Sequence, residues 1–170
     1  MKKKKFIRKI CLLGDGGVGK TSLVRRFVYD FFSDEYITSF GTKVTKKVLD
    51  LGEVELTLMI WDILGQKTHR TLHHAYYKGA NGALLVCDLT REETIRNLVE
   101  WRDDFFRVVG SVPVLAIANK NDLENQVSDV TLAEIANVLG QGFVKTSAKT
   151  GEGVQEAFIR LGKALMEGES

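Results

Sequence analysis

The chain has 170 residues, 44% hydrophobic and 27% charged, with 24 lysines and arginines against 22 acids, a net charge of +2. That length suits one domain with a buried core, and the ordinary apolar content excludes a disordered or collagen-like chain. The longest apolar stretches, near residues 82–87 and 112–118, fall short of the ~18–20 residues that cross a bilayer, and no cleavable secretory signal is read at the start.

The charge is unevenly spread. Lys2, Lys3, Lys4, Lys5, Arg8 and Lys9 hold six of the 24 bases, which leaves 18 bases against 22 acids from Ile10 onward, or −4. Such a run reads first as a solvated tail, and secondarily as a weak contact for anionic lipid; no nucleic-acid partner is expected. Residues 6–13 predict a strand running into a glycine loop, after which Leu23, Val24, Phe27 and Phe31 recur at helical spacing. Residues 44–51 and the alternating run Val54, Leu56, Leu58, Ile60 predict an antiparallel hairpin about Gly52. Residues 83–88 and 112–118 are continuous apolar runs, as strands buried on both faces should be. Ile95, Leu98, Trp101, Phe105 and Val109 fit one long helix between them. Leu132, Ile135, Ala136 and Leu139 mark another helix, residues 143–146 a short strand, and Val154 to Leu165 the last helix. Strand–helix alternation of this kind predicts an α/β fold with a mostly parallel sheet covered on both faces. Cys11 and Cys87 lie in apolar runs without a partner at metal spacing and read as buried free thiols of a cytoplasmic protein. The domain reading is a basic tail over 1–5, one folded domain over 6–166 and a short tail over 167–170.

Gly14-Asp15-Gly16-Gly17-Val18-Gly19-Lys20-Thr21 fits G-x-x-x-x-G-K-[ST] between a strand and a helix. Its glycines let backbone N–H groups turn inward as an anion cradle, Lys20 can reach outer phosphates, and Thr21, followed by Ser22, can ligate Mg²⁺. This motif alone does not choose ATP or GTP. Asn119-Lys120-Asn121-Asp122 follows the next strand. A carboxylate there can accept from both donors on the guanine edge, which adenine lacks, so Asp122 is the candidate base-reading residue. Ser147-Ala148-Lys149 follows another short strand, with a backbone N–H for the guanine oxygen and a lysine stem to pack on the ring.

Residues 14–21, Asp62-x-x-Gly65-Gln66, Asn119–Asp122 and Ser147–Lys149 together resemble the ordered motif set of a Ras-superfamily small GTPase over residues 6–166. Trp61-Asp62 and Tyr76-Tyr77-Lys78-Gly79-Ala80 look most like the Rab branch, with Val44 departing from its usual aromatic. The resemblance implies a P-loop NTPase fold: three α/β/α layers, six mostly parallel strands with one antiparallel, and five helices. It also implies a monomeric, cytoplasmic switch, peripheral at membranes at most. Such a switch binds GTP or GDP with Mg²⁺, hydrolyses GTP slowly, and meets effector, activating and exchange proteins through residues 32–42 and 62–80. By the same resemblance Asp62 holds Mg²⁺, Gly65 touches the γ-phosphate, Gln66 orients the attacking water and Phe32 packs on the base, with core packing as the competing reading of Phe32. Ser39 takes the place of the γ-phosphate-sensing threonine, with Thr38 as the fallback ligand. Gly16 and Gly17 leave room for an arginine supplied in trans, and no arginine of the chain itself is evident there.

Leu64 departs from the small residue usual before Gly65. The alternative reading is therefore a guanine-nucleotide-binding module with little turnover. An ATP-using P-loop kinase would leave Asp122 and Ser147–Lys149 without a role. His69 and His73 stand one helical turn apart, but with His74 they lack an H-E-x-x-H motif and a carboxylate partner, and they read as part of an exposed second switch rather than a metal site. No C-terminal cysteine for prenylation is read.

Overall fold

The computed structural model describes residues 2–32, 43–63 and 70–169, with the side chains of residues 70–72 outside that description. Strands and helices alternate: β1 (Lys4–Leu13), α1 (Lys20–Tyr29), β2 (Lys43–Asp50), β3 (Val54–Asp62), α2 (Arg70–Tyr77), β4 (Gly82–Asp88), α3 (Glu92–Arg96), α4 (Leu98–Val109), β5 (Val114–Asn119), α5 (Asp129–Leu139), β6 (Val144–Lys145) and α6 (Val154–Met166). One sheet runs in the order β2-β3-β1-β4-β5-β6. β2 is antiparallel to β3 and the remaining pairings are parallel, so the expected sheet is present.

Alternation along β1 divides the interior. Ile10 and Leu12 join Leu58, Phe27 and Phe158 under α1 and α6. Cys11 and Leu13 join Leu85, Trp101, Phe105 and Ile135 under α2, α4 and α5. Every residue of β4 is buried, as a central strand covered on both faces requires. Phe27 and Phe158 stack with ring centroids 4.0 Å apart, which fixes α1 against α6. These are the three α/β/α layers expected.

β5 starts at Val114 rather than residue 112, and three other boundaries differ from the sequence reading for a visible reason. β1 begins at Lys4, not Phe6: Lys4 lies opposite Val54 and Lys5 opposite Glu55, while Lys3 forms an ion pair with Asp50. Nearby acids let part of the basic run join the sheet. Helix α1 stops at Tyr29 because Asp30 turns left-handed (φ 52°), and its N–H closes back on the last carbonyls. Phe31 is thereby removed from the helix face and is 54% exposed. The long helix after β4 is divided at Asn97 into α3 and α4, although Asn97 keeps helical backbone angles. Counted as one bent helix, the helices are the expected five.

Candidate functional site

Parallel strands end at one edge of a sheet, and the crevice beyond their carboxyl ends is where such sheets bind ligands. Here that edge carries the glycine loop after β1, Asp62 at the end of β3, Asp88 at the end of β4, residues 119–122 after β5 and 147–149 after β6.

The loop over 14–19 needs its glycines. Gly14 (φ 149°) passes so near the Val86 carbonyl that a Cβ would collide with it, and at Gly19 (φ 102°) a Cβ would collide with the Asn119 amide. Gly19 caps α1 without a side-chain bond, and the first turn holds no acid, so the helix presents its unpaired N–H groups to whatever lies in front. Lys20 folds back across the loop, donating to the Gly14 carbonyl at 2.9 Å and the Asp15 carbonyl at 3.3 Å. It is only 6% exposed. Burial draws its ammonium down to about 8, opposed by the carboxylates of Asp62 and Asp15 and reinforced by the charge of Arg91. An anion in the loop would restore the full charge.

Beside Lys20, the Thr21 hydroxyl donates to Asp62 Oδ2 at 2.5 Å. Burial raises the Asp62 carboxyl, against the Thr21 bond and the charges of Lys20 and Lys43. A hydroxyl and a buried carboxylate in contact are hard oxygen donors, and they fit Mg²⁺. Ser39, Gly65 and Gln66, named with them, lie outside the described residues, as do Thr38, Leu64 and His69.

On the opposite wall, Asp122 is exposed and its Oδ1 accepts from the buried Ser147 hydroxyl at 2.7 Å, which holds the carboxylate at the rim. The Ser147 loop is fixed by its N–H to the Glu152 carbonyl and by Gly151 N–H to its own carbonyl. Arg26 of α1 also donates to the carbonyls of Ala148 (2.8 Å) and Lys149 (2.6 Å), leaving the Lys149 stem exposed. Asn119 is a brace: its amide donates to the Val18 carbonyl and accepts from Thr146 Oγ1, both at 2.9 Å, tying the two walls together. Lys120, left-handed at φ 69°, reaches Asp88 at 3.0 Å. Asp88 is 1% exposed. Burial pushes against its charge, but bonds from the Thr90 hydroxyl and N–H and the Lys120 ammonium outweigh this and hold the carboxyl below its usual range.

Several residues stand differently from expectation. Asp15 turns away from the loop: Oδ2 accepts from Asn97 at 2.7 Å and Oδ1 from Trp101 Nε1 at 2.8 Å, so it offers a ligand its backbone only. A Cβ built on Gly16 would meet nothing within 4 Å, so that one position is open. An arginine of the chain itself nonetheless reaches the loop: Arg91 donates to the Gly16 carbonyl at 2.9 Å and to Asp88 Oδ2 at 3.1 Å. Its place three residues after the acid ending β4 was the available signal. Phe32 is half-buried against the core beneath α1. His73 is not on an exposed segment: it is 3% exposed, its ring 5.5 Å from Trp101 and 6.3 Å from Tyr77, because α2 uses this face to pack on α4.

A sequence model described as the Ras family matches residues 9–167. Ras-related protein SEC4 of Saccharomyces cerevisiae is 38% identical over 167 residues, covering 95% of this chain and 76% of that protein. Ras-related protein RABD2b of Arabidopsis thaliana is 36% identical over 163 residues, covering 94% and 81%.

Proposed function

The chain belongs to the Ras family as a Rab-like small GTPase, and from that premise we propose a Mg²⁺-dependent switch that holds GDP or GTP across the two walls of the site and hydrolyses GTP slowly. One observation carries this reading: Asp122, steadied by Ser147 at 2.7 Å, stands on the same sheet edge as the uncapped start of α1. A carboxylate there matches the paired N–H donors of guanine and would be left unpaired by adenine. The loop amides and Lys20 take the phosphates, while Val18, Gly19 and Asn119 hold the cradle's shape. Thr21 and Asp62, with Ser39 as the further ligand, would hold Mg²⁺, which neutralises charge on the transferred phosphoryl group. Gln66 orients the attacking water beside Gly65. Phosphoryl transfer of this kind asks for positioning and charge stabilisation more than for a strong base.

Effector, activating and exchange proteins would meet residues 32–42 and 62–80. Tyr76 of the second stretch lies with its ring centroid 6.1 Å from that of Trp61, which precedes the stretch, and Lys9 Nζ sits 3.8 Å above the Trp61 ring. A place in membrane traffic or signalling follows from the Rab-like resemblance, with Lys2–Lys5 adding weak, salt-sensitive attraction to anionic lipid.

Calorimetry on nucleotide-stripped protein with Mg²⁺ tests the binding. GDP and GTP are expected to be taken up at least a thousandfold more tightly than ADP and ATP, and equal uptake would overturn the reading. Single-turnover hydrolysis, wild type beside Gln66→Leu, tests turnover: equal rates would leave a binding module only.

A further inference from the structure

Arg91 ends the turn between β4 and α3, and its side chain has two partners. Nε donates to Asp88 Oδ2 at 3.1 Å and one terminal nitrogen donates to the Gly16 carbonyl at 2.9 Å. Its own backbone is held by the Arg91 N–H on the Asp88 carbonyl and by the Thr94 hydroxyl on the Arg91 carbonyl. A planar fork fixed on one side by a buried carboxylate has its other arm aimed, which a lysine could not reproduce. The bond to Gly16 is thus oriented from behind, by the same Asp88 that holds Lys120 of the base-reading loop.

The consequence lies across one peptide. In a trans peptide the C=O of one residue and the N–H of the next point in opposite directions. No peptide among the described residues is cis. With Arg91 on the Gly16 carbonyl, the Gly17 N–H therefore points away from Arg91, and among the described residues it donates to no protein acceptor. Hydrogen bonds in series polarise one another, and a charged donor on the carbonyl makes the N–H of the same peptide a stronger donor. Arg91 thus stands behind the loop and is separated from a ligand by the peptide it polarises.

We propose that Arg91 is a positioning residue of the phosphate loop, acting through the Gly16–Gly17 peptide to orient and strengthen the Gly17 N–H as a donor to a bound di- or triphosphate. This rests on the nucleotide reading above. The arrangement also brings a second cation to the loop without exposing it to the ligand, and joins loop and base-reading wall through Asp88.

The test uses the full chain loaded with GDP and Mg²⁺, comparing wild type, Arg91→Ala, Arg91→Lys and, as a control on α3, Arg96→Ala. Two quantities are read: the Gly17 amide proton shift in ¹H–¹⁵N spectra, and the rate of GDP release. In Arg91→Ala the Gly17 proton is expected to move upfield while those of Gly14 and Gly19 hold, and GDP release to quicken roughly three- to tenfold, the modest range set by the partial exposure of the pair. Arg91→Lys should recover part of both effects, and Arg96→Ala neither. The proposal is overturned if Arg91→Ala leaves the Gly17 resonance and the release rate at wild-type values. It is also overturned if all the loop glycines shift together and the nucleotide-free protein melts lower by the same margin, which would make Arg91 a structural tie alone. Failure of the wild type to take up GDP would be a different result, removing the nucleotide reading itself.

Discussion

At Asp88 two cations, Lys120 and Arg91, meet on one carboxylate oxygen while Thr90 supplies both bonds to the other. The carboxyl is held below its usual range, so its ionised form favours the folded state. The sign follows: this stability is fully present above the unfolded pKa, near 3.9, and is lost as pH falls through the lower folded value. Asp88→Asn should therefore be less stable than wild type by about 1–3 kcal/mol at pH 7. The gap should close as pH drops below about 4, checked by urea midpoints taken between pH 7 and 2.5; a gap independent of pH would assign the loss to packing. Asp122 lends itself to a sharper exchange. Asparagine offers one acceptor and one donor where aspartate offers two acceptors. Asp122→Asn should thus reject guanine and accept xanthine, reversing the order of GDP and XDP by roughly a hundredfold in a competition assay.

Glycine chemistry separates elements whose sequences look alike. Gly140 and Gly153 both take left-handed angles, φ 74° after α5 and φ 68° before α6, but only at Gly153 would a Cβ collide with a carbonyl, that of Lys145 in β6. Gly140→Ala should cost about 1 kcal/mol of backbone strain. Gly153→Ala should cost several times that and loosen the Ser147 loop, so that denaturant midpoints fall further for Gly153→Ala and its nucleotide release quickens. The turn itself was legible in residues 151–153; the collision was not, because it depends on where β6 lies. The same division runs through the other elements. β3 and β4 were readable because their apolar patterns record how many faces they bury. The start of β1 and the division at Asn97 were not, because each is decided by a partner elsewhere, Glu55 and Asp50 beside the basic run and the Asp15 carboxylate that takes the Asn97 amide; the stop of α1 comes instead from the left-handed turn of Asp30 back onto the helix's own carbonyls.

Over the whole molecule, the residues proposed to face a ligand were named by motif spacing, since chemistry fixes their types: Lys20, Thr21, Asp62, Asp122 and Ser147. The residues that brace the loops around them, Arg26 on Ala148, Arg91 on Gly16 and Trp101 on Asp15, follow no motif and are fixed only when α1, α3 and α4 close around the sheet edge. That closure is cooperative, and Cys11 and Cys87 report on it. They sit on β1 and β4, the central pair of strands, with no exposed surface. Burial pushes the Cys11 thiol up to about 12 and the Cys87 thiol higher still. The reactive thiolate is therefore scarce at pH 8, and a reagent has no path to either sulfur while β1 and β4 stay covered. Both sulfurs pack into the core under α2, α4 and α5, so labelling requires that whole face to come off the sheet, an opening close in scale to global unfolding. Both thiols should react together with a disulfide reagent at pH 8, at least a thousandfold more slowly than in denaturant. Excess GDP with Mg²⁺ should slow them further in proportion to 1 + [GDP]/Kd, because the nucleotide binds only the closed state. If one thiol reacted ahead of the other at a rate indifferent to GDP, that strand would open locally, and the two walls of the site would not be held by a single fold.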